Sequence, residues 1–179
     1  MAGMGAICVM RIIGCCLSFE LVQEKVRMSQ RADILVKSNI GRPLALVEMK
    51  NLPRLSEDNA VDLLKALVQY TSDAIPYVMV VSQSAGFIWQ LKGNDALGRK
   101  VDYGQPQLLD MTPVFREYLT EAELSRHIRG AELNLVLSHW LGDLARGRSG
   151  VLPGTRENGP LSQFVSDIRG AQVNLEALI

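Results

Sequence analysis

The stretch Arg31–Asn51, RADILVKSNIGRPLALVEMKN, decides how the rest of the chain is read. Two strand-like runs, Ala32–Lys37 and Pro43–Lys50, flank a turn at Ser38-Asn39-Ile40-Gly41-Arg42. Val, Ile and Leu bounded by Asn and Gly mark a β-hairpin. Asp33 opens the first strand, while Glu48 and Lys50 close the second. Side chains alternate faces along a strand, so Glu48 and Lys50 point the same way, with Leu44 and Leu46 behind them.

If Ile40-Gly41 is the centre of the turn, antiparallel pairing sets Asp33 opposite Glu48, with Cβ atoms roughly 5 Å apart. A slip of one residue would undo this, so the register matters. Two carboxylates that close repel each other unless a cation lies between them. Hard divalent ions such as Mg²⁺ are held by one or two carboxylates together with substrate phosphates. Lys50, two residues on, is placed to steady an attacking water or a developing phosphoryl charge. The arrangement suits metal-dependent cleavage of a phosphodiester.

These residues resemble the PD-(D/E)XK nuclease superfamily, and more closely the N-terminal nuclease module of type I restriction-enzyme R subunits and its stand-alone relatives. The pattern "R-x-D, apolar strand, turn, G-x-P, apolar strand, E-x-K" is met by Arg31-Ala32-Asp33, Gly41-Arg42-Pro43 and Glu48-Met49-Lys50. The likeness runs on through a helix to Ile75–Leu91, IPYVMVVSQSAGFIWQL, and weakens beyond it. Ala32 stands where the superfamily carries its naming proline. Relatives often place a Gln four residues before a helical Tyr; here Ala66 holds that place, and Gln69 directly precedes Tyr70.

The resemblance implies an α/β, restriction-endonuclease-like mixed sheet flanked by helices, acting on DNA with Mg²⁺ or Mn²⁺. It implies Asp33 and Glu48 as metal ligands, joined by the backbone carbonyl of Met49, with Lys50 assisting water attack. Lys65, Gln69 and Tyr70 on the following helix are accessory candidates. Relatives also draw an acid from a helix before the hairpin; here that is Glu20 or Glu24, and spacing does not choose between them. The competing reading is a catalytically inactive nuclease fold kept as a nucleic-acid-binding or assembly module. A hydrolase for small phosphate compounds or modified nucleic acids is a third.

Composition sets the outer bounds. The chain has 179 residues, 47% hydrophobic and 21% charged, as in an ordinary globular domain. Formal net charge is zero, which argues against a non-specific DNA coat. Between Lys25 and Lys65, however, eight bases face five acids, a modest positive rim around the hairpin. Cys8, Cys15 and Cys16 form no C-x-x-C and fit a reducing, cytoplasmic setting. Met1–Phe19 is apolar, but no basic region precedes it and Arg11 interrupts it. Neither a signal peptide nor a membrane span is expected.

Along the chain, Ser18–Val26 has helical spacing, and Ser56 opens a helix with Ala60, Leu63, Leu64, Leu67 and Val68 as its core stripe. Tyr77–Val81 is a continuous apolar run typical of a buried parallel strand, reached by a right-handed crossover from Glu48. Ser82–Gly86 makes a turn into a strand at Phe87–Leu91, where Trp89 is core. Residues 1–107 thus read as the α/β core, and 108–179 as a helical extension packed on the same domain. Helices are expected at Thr112, after the capping box Thr120–Glu123, over Ala131–Arg146 and over Leu161–Leu178. Their faces offer cover for the sheet, a homodimer contact or a partner surface. No G-x-x-x-x-G-K-[ST] is present, and His127 and His139 lack companions for a zinc site.

Overall fold

Where a strand is apolar on both sides, it needs a layer on each face, and this chain supplies two. The computed structural model describes residues 32–69, 75–93, 102–148, 151–153 and 159–175. All of these belong to the unit Ala32–Ile179. The elements run β1 (Ile34–Lys37), β2 (Pro43–Met49), α1 (Glu57–Gln69), β3 (Tyr77–Val81), β4 (Ala85–Gln90) and β5 (Gln107–Asp110). They continue with α2 (Thr112–Tyr118), α3 (Glu121–Leu124), α4 (Gly130–Ala145), α5 (Pro160–Asp167) and β6 (Gln172–Leu175). The six strands form one mixed sheet in the order β5-β4-β3-β2-β1-β6. Only β2 and β3 are parallel; the crossover between them carries α1.

The hairpin β1–β2 turns at Gly41, whose φ of 79° suits glycine, with the Ser38 carbonyl accepting from the Gly41 N–H at 2.8 Å. Its register pairs Ile34 with Val47 and Leu35 with Leu46. Val36 faces Ala45 in the same register, and the pairing then shifts so that Lys37 faces Pro43. Leu44 is the extra residue of this bulge, and it joins the layer opposite Leu46 rather than lying behind Glu48. One step beyond Ile34–Val47, Asp33 falls opposite Glu48.

One face of the sheet buries Leu35, Leu46, Val78, Val80, Phe87 and Trp89 against Ala60, Leu64 and Leu67 of α1. The other buries Val47, Tyr77, Met79, Val81 and Ile88 against Phe115, Leu137, Trp140, Leu141 and Phe164. β3 is buried along its whole length, as its unbroken apolar run requires. Trp89, only 1% exposed, is core.

The C-terminal segment differs from the all-helical expectation. Gln107–Asp110 pairs with β4, and Gln172–Leu175 pairs with β1 as an edge strand. The helix expected over Leu161–Leu178 stops at Asp167 and reverses at Gly170, φ 73°, whose N–H donates to the Ala145 carbonyl. Leu175, which would face inward on a helix continuing the frame of Phe164 and Ile168, is 49% exposed. The reason is the sheet's open edge: β1 has backbone groups to satisfy, and pairing outweighs helical spacing. α4 ends as expected at Gly147, in a Schellman turn with bonds from Gly147 to Leu144 and from Arg148 to Asp143. Among the described residues, no helix is long and apolar enough to cross a membrane.

Candidate functional site

Parallel β2 and β3 end side by side, and both chains leave the sheet there to make their connections. Such carboxyl-terminal strand ends are where open α/β sheets place ligands. Glu48, level with Val80 of β3, sits on the α1 side of β2 at this end. The Lys50 N–H continues the pairing by donating to the Val81 carbonyl at 2.8 Å.

Four of the sequence-derived residues, Asp33, Glu48, Met49 and Lys50, meet here. The Met49 backbone N–H donates to Asp33 Oδ2 at 2.7 Å, which fixes that carboxylate against the end of β2. Lys50 Nζ donates to Glu48 Oε1 at 2.6 Å. The Glu48 side chain is 12% exposed and that of Lys50 35%. Glu48 Oε2 is buried and has no hydrogen-bond partner among the described residues.

Electrostatics follow from this packing. Burial pushes the Glu48 carboxyl above its ordinary value, the Lys50 hydrogen bond pulls it back, and the negative charge of Asp33 adds to the rise. The net direction is upward, so loss of solvent outweighs the lysine. A buried carboxylate oxygen without a donor is costly unless a cation or proton reaches it.

The donor set fits a hard divalent cation. Asp33 and Glu48 would hold it, with the Met49 carbonyl named by the resemblance; the Met49 side chain itself is buried in the opposite layer. Among the described residues, no three His, Cys, Asp or Glu side chains gather as a metal site. Two carboxylates suit Mg²⁺, which keeps several waters and takes phosphate oxygens.

The other candidates stand apart from this cluster or cannot be placed in it. Lys65 is exposed on α1, and its ammonium pairs with Asp62 at 3.1 Å. Gln69 closes α1. Its side chain lies outside the described residues, as do Tyr70, Glu20 and Glu24.

Sequence reading missed the residues that brace the site. Beyond Lys50 the chain makes a tight turn, the Leu52 N–H donating to the Lys50 carbonyl at 2.6 Å. Gln83 and Ser84, in the β3–β4 turn, grip the residues just past it. The Gln83 N–H donates to the Leu52 carbonyl at 3.2 Å, and Ser84 Oγ donates to the Pro53 carbonyl at 2.7 Å. The Gln83 amide also reaches Asn51 and His127. Polar residues 32 and 44 positions apart carry no local pattern that would have paired them.

No protein-family model, curated protein or solved structure matches this chain.

Proposed function

We propose that the chain is a metal-dependent nuclease that hydrolyses DNA phosphodiester bonds at the ends of β1 and β2. The observation that carries this is Glu48 Oε2, buried and without a hydrogen-bond partner among the described residues, with Lys50 holding the other oxygen of the same carboxylate and the charge of Asp33 acting on it. Asp33 and Glu48 would hold Mg²⁺ or Mn²⁺, which when bound supplies charge for the phosphate and a more acidic water. Lys50 orients that water and offsets charge on the phosphoryl oxygens. The order hairpin, crossover helix, parallel strand supports a restriction-endonuclease-like reading of the fold.

The test is cleavage of supercoiled plasmid, linear duplex and single-stranded DNA with Mg²⁺ or Mn²⁺. Asp33→Ala and Lys50→Ala proteins, purified identically, run beside the wild type. Cleavage by the wild type that both substitutions abolish is the expected result. Equal behaviour of all three proteins would remove the catalytic reading.

A second reading is favoured by the zero net charge: a nuclease fold kept as a binding or assembly module. It predicts that Lys50→Ala leaves the biological role intact, while loss of the C-terminal helices abolishes it.

A further inference from the structure

We propose that Gln83 is a positioning residue for Lys50, acting through the tight turn centred on Asn51. The cleavage arm of this inference rests on the nuclease reading; its structural arm does not.

Lys50 is held through its backbone on both sides. Its N–H carries the pairing with β3 one residue past β2, donating to the Val81 carbonyl at 2.8 Å. Its own carbonyl closes the turn by accepting from Leu52. Past that point the exposed segment Asn51–Arg54 has no strand to lie against among the described residues. Gln83 and Ser84 hold it instead: Gln83 N–H on the Leu52 carbonyl, Ser84 Oγ on the Pro53 carbonyl, and Gln83 Nε2 on Asn51 Oδ1 at 3.1 Å. Gln83 thus grips both the backbone and the side chain of the turn after Lys50.

The other end of the grip is anchored. Gln83 Nε2 also donates to the carbonyl of buried Ile128 at 3.0 Å and lies 3.1 Å from His127 Nδ1. A carbonyl can only accept, so Ile128 fixes the amino end of the amide toward this cluster. That leaves one further proton for two acceptors, Asn51 Oδ1 and His127 Nδ1. The half-buried Gln83 is therefore a three-way tie between the exit of β2, the β3–β4 turn and the loop that leads into α4.

Lys50 carries its ammonium on a flexible four-carbon stem. Its aim toward Glu48 depends on the direction its backbone takes, and that direction is set between Val81 on one side and the Gln83-held turn on the other. A misplacement of about 1 Å in a reacting constellation can cost up to roughly a hundredfold in rate.

Gln83→Met keeps the length of the side chain and removes its donors. Two readouts are needed besides thermal stability. One is the Lys50 ammonium signal in NMR of isotope-labelled lysine protein, assigned by its loss in Lys50→Arg. The other is the kcat and KM of plasmid cleavage with Mn²⁺. Gly159→Ala, a destabilising change outside this cluster, is the control. The expected result is a shifted or broadened Lys50 signal and a kcat lowered roughly tenfold or more at unchanged KM. Asn51→Ala, which removes the partner instead, should move both readouts the same way, and Gly159→Ala neither. A Gln83→Met protein with lower stability but wild-type Lys50 signal would overturn the inference. If the wild type cleaves nothing, the nuclease reading falls, and the Lys50 signal still decides the role of Gln83.

Discussion

Glu48 is the residue at which burial and charge pull hardest against each other. Its carboxyl is held above the ordinary 4.5, chiefly by burial. Between that ordinary value and the raised folded value, the native state binds more protons than the unfolded one. Stability contributed by this group is therefore lost as pH rises through that window. Glu48→Gln should be more stable than the wild type at neutral pH, and the gain should shrink as pH falls toward 4.5. Urea midpoints across that range measure it. A gain that grows in acid would show that Lys50 fully offsets the cost. Under the nuclease reading, Mn²⁺ relieves the same strain. At a hundred times its dissociation constant it should stabilise the wild type by about 2.7 kcal/mol, and Asp33→Ala and Glu48→Gln much less, as read by thermal midpoints. The facing of Asp33 and Glu48 is only partly legible in the sequence. A five-residue turn with plain alternation would set Asp33 opposite Val47, and the bulge at Leu44, which no local pattern marks, moves the partner to Glu48. The grip of Gln83 is not legible at all, because it depends on two turns meeting in space.

At the scale of elements, caps show how a short helix is held. α5 begins at Pro160 without a side-chain cap of its own. Its Leu161 N–H instead donates to Oε1 of buried Gln107, at the start of β5, at 3.0 Å. Gly159 makes this approach feasible: a Cβ there would lie 2.3 Å from that oxygen. Gln107 is the movable end, but it cannot move without leaving a buried N–H unpaired. Gly159→Ala should therefore cost about 1–3 kcal/mol, as a shifted urea midpoint. If the midpoint stays put, Gln107 has found another way to meet the helix. The capping box at Thr120–Glu123 is readable beforehand, since both bonds lie within four residues. The Gln107 cap spans 54 positions and is not.

At the scale of the whole molecule, both edges of the sheet come from the later part of the chain. β5 and β6 bracket strands laid down much earlier, and Ile34 pairs with Leu175 across most of the chain. The central strands and α1 are legible from apolar runs and spacing. β6 is not: Gln172–Leu175 holds only four residues, and although Val173 and Leu175 alternate as in a strand, Leu175 also continues the helical frame of Phe164 and Ile168. Its identity is set by the unpaired edge of β1. The structure thus distinguishes a sheet component from a detachable extension. A chain ending at Ile168 keeps α5 but strips β6 from β1, the strand that carries Asp33 at its entrance. It should unfold at a thermal midpoint several degrees lower, since losing even about 1 kcal/mol shifts a domain of this size by roughly 2–4 °C. Amide exchange should quicken first in Ile34–Lys37, because that edge then meets water. A chain ending at Pro106 goes further. It leaves Tyr77, Met79, Val81 and Ile88 without the layer of Phe115, Trp140 and Phe164, and it should show no cooperative unfolding transition. A cooperative transition in that shorter chain would mean that β1 to β4 and α1 form a self-sufficient core, with everything after Pro106 added cover.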